Sequence, residues 1–572
     1  MKNDLKNFTA YLRRRRSFPR YRKLCCKYVF VYFLFFIVMP VFSLSFDDEG
    51  SPSELAAAIE REMTDEQALA QLIMLGWVGE DPSPLIMEWI RLRNIGGVKI
   101  FGWNTADTQR LARAVGTLQS ASLRGQFRIP LLVATDQEGG WIRHIKGDTS
   151  ETPGNMAIGA SGYPRDAYLS GYYIGKELAL LGVNMNFAPT VDLFTNRSSV
   201  LIGPRAFGSD PVTTGILGAA FVRGQMAAGV IPTAKHFPGH GDTALDSHGI
   251  LPRIEIPYET VWNRELVPYR MLVSEGLPAV MSGHLAFPLL ESGLTPASLS
   301  SCFLRDVLRG RIGFNGVIVT DDLMMIGATS YMGTLARTAK QAIVAGNDII
   351  MFSSTPFLND AIWTFLVSSM RDEEDFRRSV RESARRILEL KLTYLRGPQS
   401  VPYIPDHVKV LAELPDPEGS AFFLDLASRS VTFVKPAPPE LIFPLTSENA
   451  GRVLLAGRFR DFFTYGRAAF PNAVSFSYST ATNPLSIVSA ARSVDTVILC
   501  LSDNSDLQVL QNLQQLNKRV IVFSVLSPVH IESVPWVSGA VAVYSYAPES
   551  FAAGFSAIIG RIPAQGVLPY EW

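Results

Sequence analysis

The chain has 572 residues, 47% hydrophobic and 19% charged, with a formal net charge of zero. At roughly 100–200 residues per domain this length suggests two or three domains, and the composition excludes a disordered or coiled-coil protein. The zero conceals an asymmetry: residues 1–27 carry ten Lys/Arg against Asp4 alone, and the remaining 43 basic and 52 acidic residues leave an acidic body of −9.

The basic arm runs directly into Tyr28–Phe46, an uncharged stretch rich in Val, Phe, Tyr, Leu and Ile. A positive n-region, an apolar h-region and small residues at Ser43 and Ser45 fit a secretory signal cleaved near Ser45–Phe46. The apolar run approaches the length that spans a bilayer, so an uncleaved anchor in the cytoplasmic membrane through residues 28–46 is the alternative. Either way the body is expected outside the cytoplasm, periplasmic or extracellular. The Arg13–Arg16 run does not read as a nucleic-acid-binding arm, because the apolar segment follows at once. Cys25 and Cys26 precede that segment, where a lipoprotein cysteine would follow it. Cys302 and Cys500 lie among apolar neighbours and read as buried thiols, with no metal-binding spacing.

From residue 72 onward, short apolar or β-branched runs alternate with longer amphipathic ones. Strands are expected at 72–78, 98–103, 130–136, 184–191, 231–236, 278–284, 315–321 and 347–353. Helical spacing covers 164–181, 211–229, 258–276, 296–311 and 333–346. Strand then helix, repeated about eight times, predicts an α/β fold of the (β/α)₈ TIM-barrel type, with a doubly wound sheet as runner-up. Residues 47–396 are assigned to this domain, after the signal or anchor of 1–46. Pro398, Pro402, Pro405, Pro415 and Pro417 mark a region poor in regular structure, and 397–420 reads as a linker. Runs at 453–456, 473–476, 496–501, 519–525 and 540–544 then predict a smaller C-terminal α/β sandwich domain over 421–572.

Barrel chemistry sits at the carboxyl ends of the strands. Five expected strands end in polar clusters: Thr135–Gly140, Phe187–Asp192, Lys235–Asp242 with Asp246–His248, Ser282–His284, and Thr320–Asp322. Helix capping explains any one of these and explains five poorly. Of seven histidines, His236, His240 and His248 fall within thirteen residues. His236 and His240 have the spacing of a helical metal pair, but Pro238, Gly239 and Gly241 argue against a helix there, so no metal is assigned. Asp246 and His248 are two apart and share a face in extended chain. A carboxylate on one imidazole nitrogen sets the tautomer and makes the other nitrogen an acid/base near neutrality. Gly239, Gly241 and Gly249 are expected to let this loop move. In VIVTDDLMM, alternation sends only one of Asp321 and Asp322 into the barrel mouth and does not say which.

TDQEGG at 135–140, NFAPTVDL at 186–193, IGPRAFGSDP at 202–211, KHFPGHGDTALDSHG at 235–249 and GVIVTDDLMM at 316–325 together resemble glycoside hydrolase family 3, in its two-domain β-N-acetylglucosaminidase branch. RVIVFSVLSPVHI and the closing AQGVLPYEW extend the resemblance into the smaller domain. The resemblance implies a retaining exo-β-N-acetylglucosaminidase acting on terminal GlcNAc of β-linked glycans such as muropeptides, without metal or organic cofactor. It implies Asp321 as nucleophile, His248 oriented by Asp246 as acid/base, and Asp136, Arg205, Lys235 and His236 as sugar contacts. Where the branch has an arginine eight residues after its DQEGG aspartate this chain has His144, and Arg143 beside it is the substituted candidate. Alternatives are a β-glucosidase or β-xylosidase, a GlcNAc phosphorylase of the same family, or a non-catalytic glycan-binding protein. The second domain is expected to brace the barrel or modulate access, or else to bind carbohydrate.

Overall fold

The computed structural model describes residues 44–571 except 292, 436–441, 447 and 480. The basic arm, Cys25, Cys26 and nearly all of the apolar stretch lie outside the described residues. Among those described, no helix is long and apolar enough to cross a membrane. Residues from Ser45 onward form one compact unit. It begins on buried Phe46, whose N–H donates to the Phe127 carbonyl at 2.8 Å.

Eight parallel strands form the first sheet: β1 (Ile73–Gly76), β2 (Gly97–Lys99), β3 (Leu132–Thr135), β4 (Met185–Asn186), β5 (Ile231–Phe237), β6 (Ala279–Ser282), β7 (Val317–Thr320) and β8 (Ile350–Phe352). Each lies within or overlaps one expected run. Neighbours pair in chain order, β1 also pairs with β8, and a parallel bridge between Val319 and Ile349 completes the ring. Every strand residue is buried, as a barrel covered by helices requires. The helices Pro164–Leu180 and Pro211–Ala227 both start with proline at a first-turn position, and Asp210 caps the second by accepting the Thr213 N–H at 2.7 Å.

The expected irregular stretch 397–420 is a correction. It contains the helix His407–Glu413 and the start of Pro417–Ser430. Asp406 caps the first through the Val408 and Lys409 N–H groups and Asp416 caps the second through Gly419. Pro417 takes a first-turn position, where its missing N–H costs no helical bond. The prolines therefore delimit helices here. The segment also lies against the barrel, the Asp416 N–H donating to Glu177 Oε1 at 2.9 Å.

The second sheet contains β9 (Thr432–Lys435), β10 (Val453–Gly457), β11 (Val474–Ser477), β12 (Thr496–Leu501), β13 (Arg519–Ser524) and β14 (Gly539–Ala542). Their order is β9-β14-β13-β12-β10-β11, with β9 antiparallel and the rest parallel. The edge strand β9 lies outside the expected runs. Cys500 is buried in β12, whereas Cys302 is only half-buried; both are free thiols. Arg429 pairs with Asp166 of the barrel at 2.7 Å, and the chain after the last helix returns to the barrel through Val567 N–H to Ala160 and Pro569 carbonyl to Ser209. Met156, Phe194, Ala542, Tyr544 and Tyr570 share one buried cluster, so apolar burial joins the two sheets' domains.

Candidate active site

The polar clusters meet at the carboxyl end of the barrel. Asp136 leaves β3 with a side chain 17% exposed, between two buried ammonium groups: Lys99 Nζ at 2.7 Å and Lys235 Nζ on the other oxygen. Lys235 also reaches Glu138, whose carboxylate binds Arg205 in the two-pronged manner, Nε at 2.9 Å and Nη2 at 2.8 Å. Burial alone would raise both carboxyls. Lys235 and Lys99 outweigh it at Asp136, held well below the usual range, and Arg205 and Lys235 bring Glu138 down to about 2. The result is a buried network of three cations and two carboxylates in which Asp136 is the most exposed member.

Asp192, at the end of the β4 segment, organises the β5 loop. It accepts the His236 N–H at 3.2 Å, the His240 N–H at 2.7 Å and His236 Nδ1 at 2.7 Å. Burial opposes its charge, but these donors hold it at about 2. An ionised carboxylate only accepts, so His236 Nδ1 carries a proton. Arg205 Nη2 only donates, so His236 Nε2, 3.3 Å away, is an acceptor.

Asp246 and His248 pair, but across a turn and not in extended chain: the Gly249 and Ile250 N–H groups donate to the Asp246 carbonyl at 3.2 Å, His248 Nδ1 lies 2.7 Å from Asp246 Oδ1, and the His248 N–H donates to the same oxygen at 2.9 Å. Their side chains are 52% and 69% exposed, so the pair is formed but open to solvent. With Nδ1 committed, Nε2 is the nitrogen available for proton exchange. The loop's glycines do not act alike. A Cβ on Gly241 would sit 1.6 Å from the Leu193 carbonyl, and Gly239 has φ +136° with Glu265 immediately beneath it. Those two glycines serve close packing at the base of the loop, and only Gly249, with open space around it, sits beside the dyad. Glu265 is buried, takes Arg264 Nε at 2.6 Å on one oxygen and leaves the other without a partner among the described residues. Burial pushes it up to about 7.

Structure separates the two adjacent aspartates. Asp322 Oδ1 accepts the Met324 N–H at 3.0 Å and the Ser353 N–H at 3.1 Å, tying the β7 loop to the β8 loop. Among the described residues Asp321 accepts only the Asp322 N–H, at 2.8 Å. Burial would raise its carboxyl, but His236, His284 and Lys235 beside it leave it below the ordinary value. His284 is fully buried, with Nε2 donating to the Asp322 carbonyl at 3.0 Å and Nδ1 meeting Ser298 Oγ at 2.7 Å.

Asp136, Arg205, Lys235, His236 and Asp321 thus belong to one cluster, while Asp246 and His248 stand on the open loop above it. Arg143 does not join them: its Nη2 binds Glu151 at 2.6 Å, and it is His144 whose ring reaches Lys99 at 3.1 Å and Asp136 at 3.7 Å. The His144 N–H pairs with the Asp136 carbonyl, which fixes that register, and successive residues of extended chain face opposite ways. Lys99 is not singled out by the sequence reading, and a lone lysine within the apolar GGVKIFGW run is the available signal for it; His284 belongs to the strand-ending cluster Ser282–His284, without an assigned role.

Residues 63–390 match the model of the glycosyl hydrolase family 3 N-terminal domain. Beta-hexosaminidase A of Pseudoalteromonas piscicida is 34% identical over 328 residues, 52% of this chain and 54% of that protein, so the chain spans about half the length of that relative. A beta-hexosaminidase of Xylella fastidiosa (strain 9a5c) is 33% identical over 51% of this chain and 86% of its own length. The family 3 β-N-acetylglucosaminidase structure from Paenibacillus sp. str. FPU-7 superposes with a TM-score of 0.80 at 28% identity, covering 89% of this chain and 99% of that one. A matched domain model, relatives named as glycosidases and a shared two-domain architecture converge on one assignment: the chain belongs to glycoside hydrolase family 3, a family of enzymes.

Proposed function

We propose that this protein is a retaining exo-β-N-acetylglucosaminidase that removes terminal GlcNAc from β-linked glycans such as muropeptides. The observation that carries the reading is the division of labour between two carboxylates. Asp322 is spent on backbone N–H groups, whereas Asp321 keeps an ionised, weakly bonded oxygen among cations and histidines at the barrel mouth. The names of the Pseudoalteromonas and Paenibacillus proteins support the hexosamine specificity.

In the first step the Asp321 carboxylate attacks the anomeric carbon. The bond to the leaving oxygen breaks, and His248 supplies that oxygen with the proton from Nε2 while Asp246 holds Nδ1–H. In the second step Nε2 takes a proton from water, the water oxygen bonds to the anomeric carbon, and Asp321 is released as carboxylate. Two inversions give retention. Asp136, anchored by Lys99 and Lys235, accepts from sugar hydroxyls, and Arg205, Lys235 and His236 shape the surrounding wall. Because the dyad stands in solvent, the loop must close over the bound sugar to act, pivoting above its packed base.

An imidazole, unlike a carboxylate, does not repel an incoming anion, so phosphate is the second acceptor to test. The basic arm and the apolar run of residues 28–46 support export of the body, cleaved or anchored. The deciding experiment traps the glycosyl-enzyme with a fluorinated GlcNAc donor and maps the peptide. Label on Asp321 supports the proposal, and label elsewhere or none at all refutes it. Turnover of p-nitrophenyl glucoside with none of the GlcNAc compound would reassign the sugar.

A further inference from the structure

The end of the barrel opposite the polar mouth carries an apolar patch. After the helix Glu374–Tyr394 the chain crosses the amino ends of the strands. The Gln399 carbonyl lies over Gly229, which leads into β5, and Pro405 lies over Gly182, which leads into β4. The short helix His407–Glu413 follows. Its Val410 is buried, while Val408 and Leu411, three apart on the outer side, are each 76% exposed. Ile404, one turn earlier, is 52% exposed and borders a cavity of about 350 Å³. Leu180 and Ala227, the last residues of two barrel helices, wall that cavity. Single exposed apolar residues are commonplace, but a stripe of them marks a surface that meets something apolar.

The described chain starts on the same face. The Phe46 N–H bonds the Phe127 carbonyl shortly before β3, and Asp47 pairs with Arg128 at 2.8 Å. Tyr403, next to Ile404, lies near enough to Asp47 that the carboxylate adds to burial in pushing the phenol up to about 12. Phe46 is also the last residue of the uncharged run 28–46, so no polar spacer separates that run from the folded body. Holding the run in a bilayer therefore brings this face down to the headgroups. Lys409 is offset by Asp406 and Glu413, so the patch has none of the basic excess that draws a protein to anionic lipid. Apolar side chains on one side of a helix, with polar ones beside them, suit shallow burial at the acyl boundary.

We propose that Ile404, Val408 and Leu411 rest on the lipid surface of the membrane that holds the apolar run, and so fix the orientation of the body. The inference rests on the anchored form of the export reading and adds a contact to it. Phe46 and the patch lie at the amino ends of the strands, and Asp136, Lys235 and Asp321 at the carboxyl ends, so the catalytic mouth opens away from the lipid. A few shallow apolar side chains bind weakly alone, but a tether raises their effective concentration at the surface, and little attraction then suffices to hold one orientation.

The full chain is reconstituted into phosphatidylcholine vesicles with the photoreactive residue p-benzoylphenylalanine in place of Leu411, or of Val78, which is 77% exposed and follows β1 at the opposite end of the barrel. Illumination is expected to give about tenfold more lipid adduct from position 411 than from position 78. Val408→Glu is expected to cut the adduct at 411 about fivefold without altering thermal unfolding. Ile404 is the second probe position if the first substituted chain does not fold. Equal adduct from both ends, adduct with protein alone, or no response to Val408→Glu overturns the proposal. Flotation of the same vesicles reads anchoring by itself. Chain that floats without the adduct at 411 keeps the anchor and loses this contact, whereas chain that does not float loses both.

Discussion

Asp246→Asn isolates the electrostatic part of the dyad. The amide oxygen can still accept the His248 N–H and Nδ1–H bonds, at 2.9 and 2.7 Å in the native protein, so geometry is retained and only the charge is lost. Two unit charges about 4 Å apart interact by about 1 kcal/mol in water and about 4 kcal/mol near a protein surface. That converts to a rate loss from about 5-fold to about 10³-fold, towards the upper end once the loop covers the sugar and excludes water. Stability responds differently: half-exposed pairs contribute at most about 1 kcal/mol, so the folded protein should scarcely change. The assay compares kcat/KM on p-nitrophenyl GlcNAc and on chitobiose, alongside thermal unfolding. The fall should be larger for chitobiose, because p-nitrophenolate leaves with little need of a proton. Unaltered kcat/KM on both substrates, or a loss that tracks unfolding, would refute the acid/base assignment.

Asp321→Ala should abolish turnover while sugar binding persists, and residual turnover near the native level would remove Asp321 from the mechanism. Asp192→Asn should cost about 2 kcal/mol, from a carboxyl held at about 2 against its ordinary 3.8, and should lower kcat/KM by loosening the loop base. A native-like unfolding midpoint and rate at pH 7 would contradict that. Glu265 is raised from 4.5 to about 7, so its protonated form is favoured in the fold. The contribution is complete below about pH 4.5 and is lost as pH rises through about 7, by about 3 kcal/mol over that window. Glu265→Gln should flatten this part of the profile, and parallel urea-midpoint profiles for the two proteins from pH 5 to 8 would sink the attribution. Lys99→Met should leave Asp136 with Lys235 as its only ammonium partner and raise KM for GlcNAc compounds; an unchanged KM would separate Lys99 from sugar binding.

Much of the site was legible because its residues announce themselves through local pattern. Strand-ending clusters such as Thr135–Gly140 and Lys235–Asp242 stand out against apolar runs, and Asp246 and His248 are close enough in sequence to meet, although a turn at 246–250 brings them together and not the extended chain their spacing suggests. The misjudged stretch 397–420 failed for a local reason too: Asp406 and Asp416 are caps, and proline at the start of a helix looks like proline in a loop. The glycines of the 239–249 loop could not be sorted from composition. Whether a glycine gives freedom or close packing depends on what lies opposite, here the Leu193 carbonyl and Glu265.

By itself the sequence determined the periodicities, and with them the eight-strand barrel, the smaller sheet and the neighbours within each loop. Such properties follow from residues a few positions apart. Which of Asp321 and Asp322 remains available was decided only by tertiary structure, because the Ser353 N–H that occupies Asp322 comes from a different strand's loop. The same holds for Lys99 against Asp136 and for the tautomer that Asp192 and Arg205 impose on His236. Each depends on charges and donors brought together from distant parts of the chain into a site that excludes water, where a missing partner is costly and the arrangement is correspondingly specific.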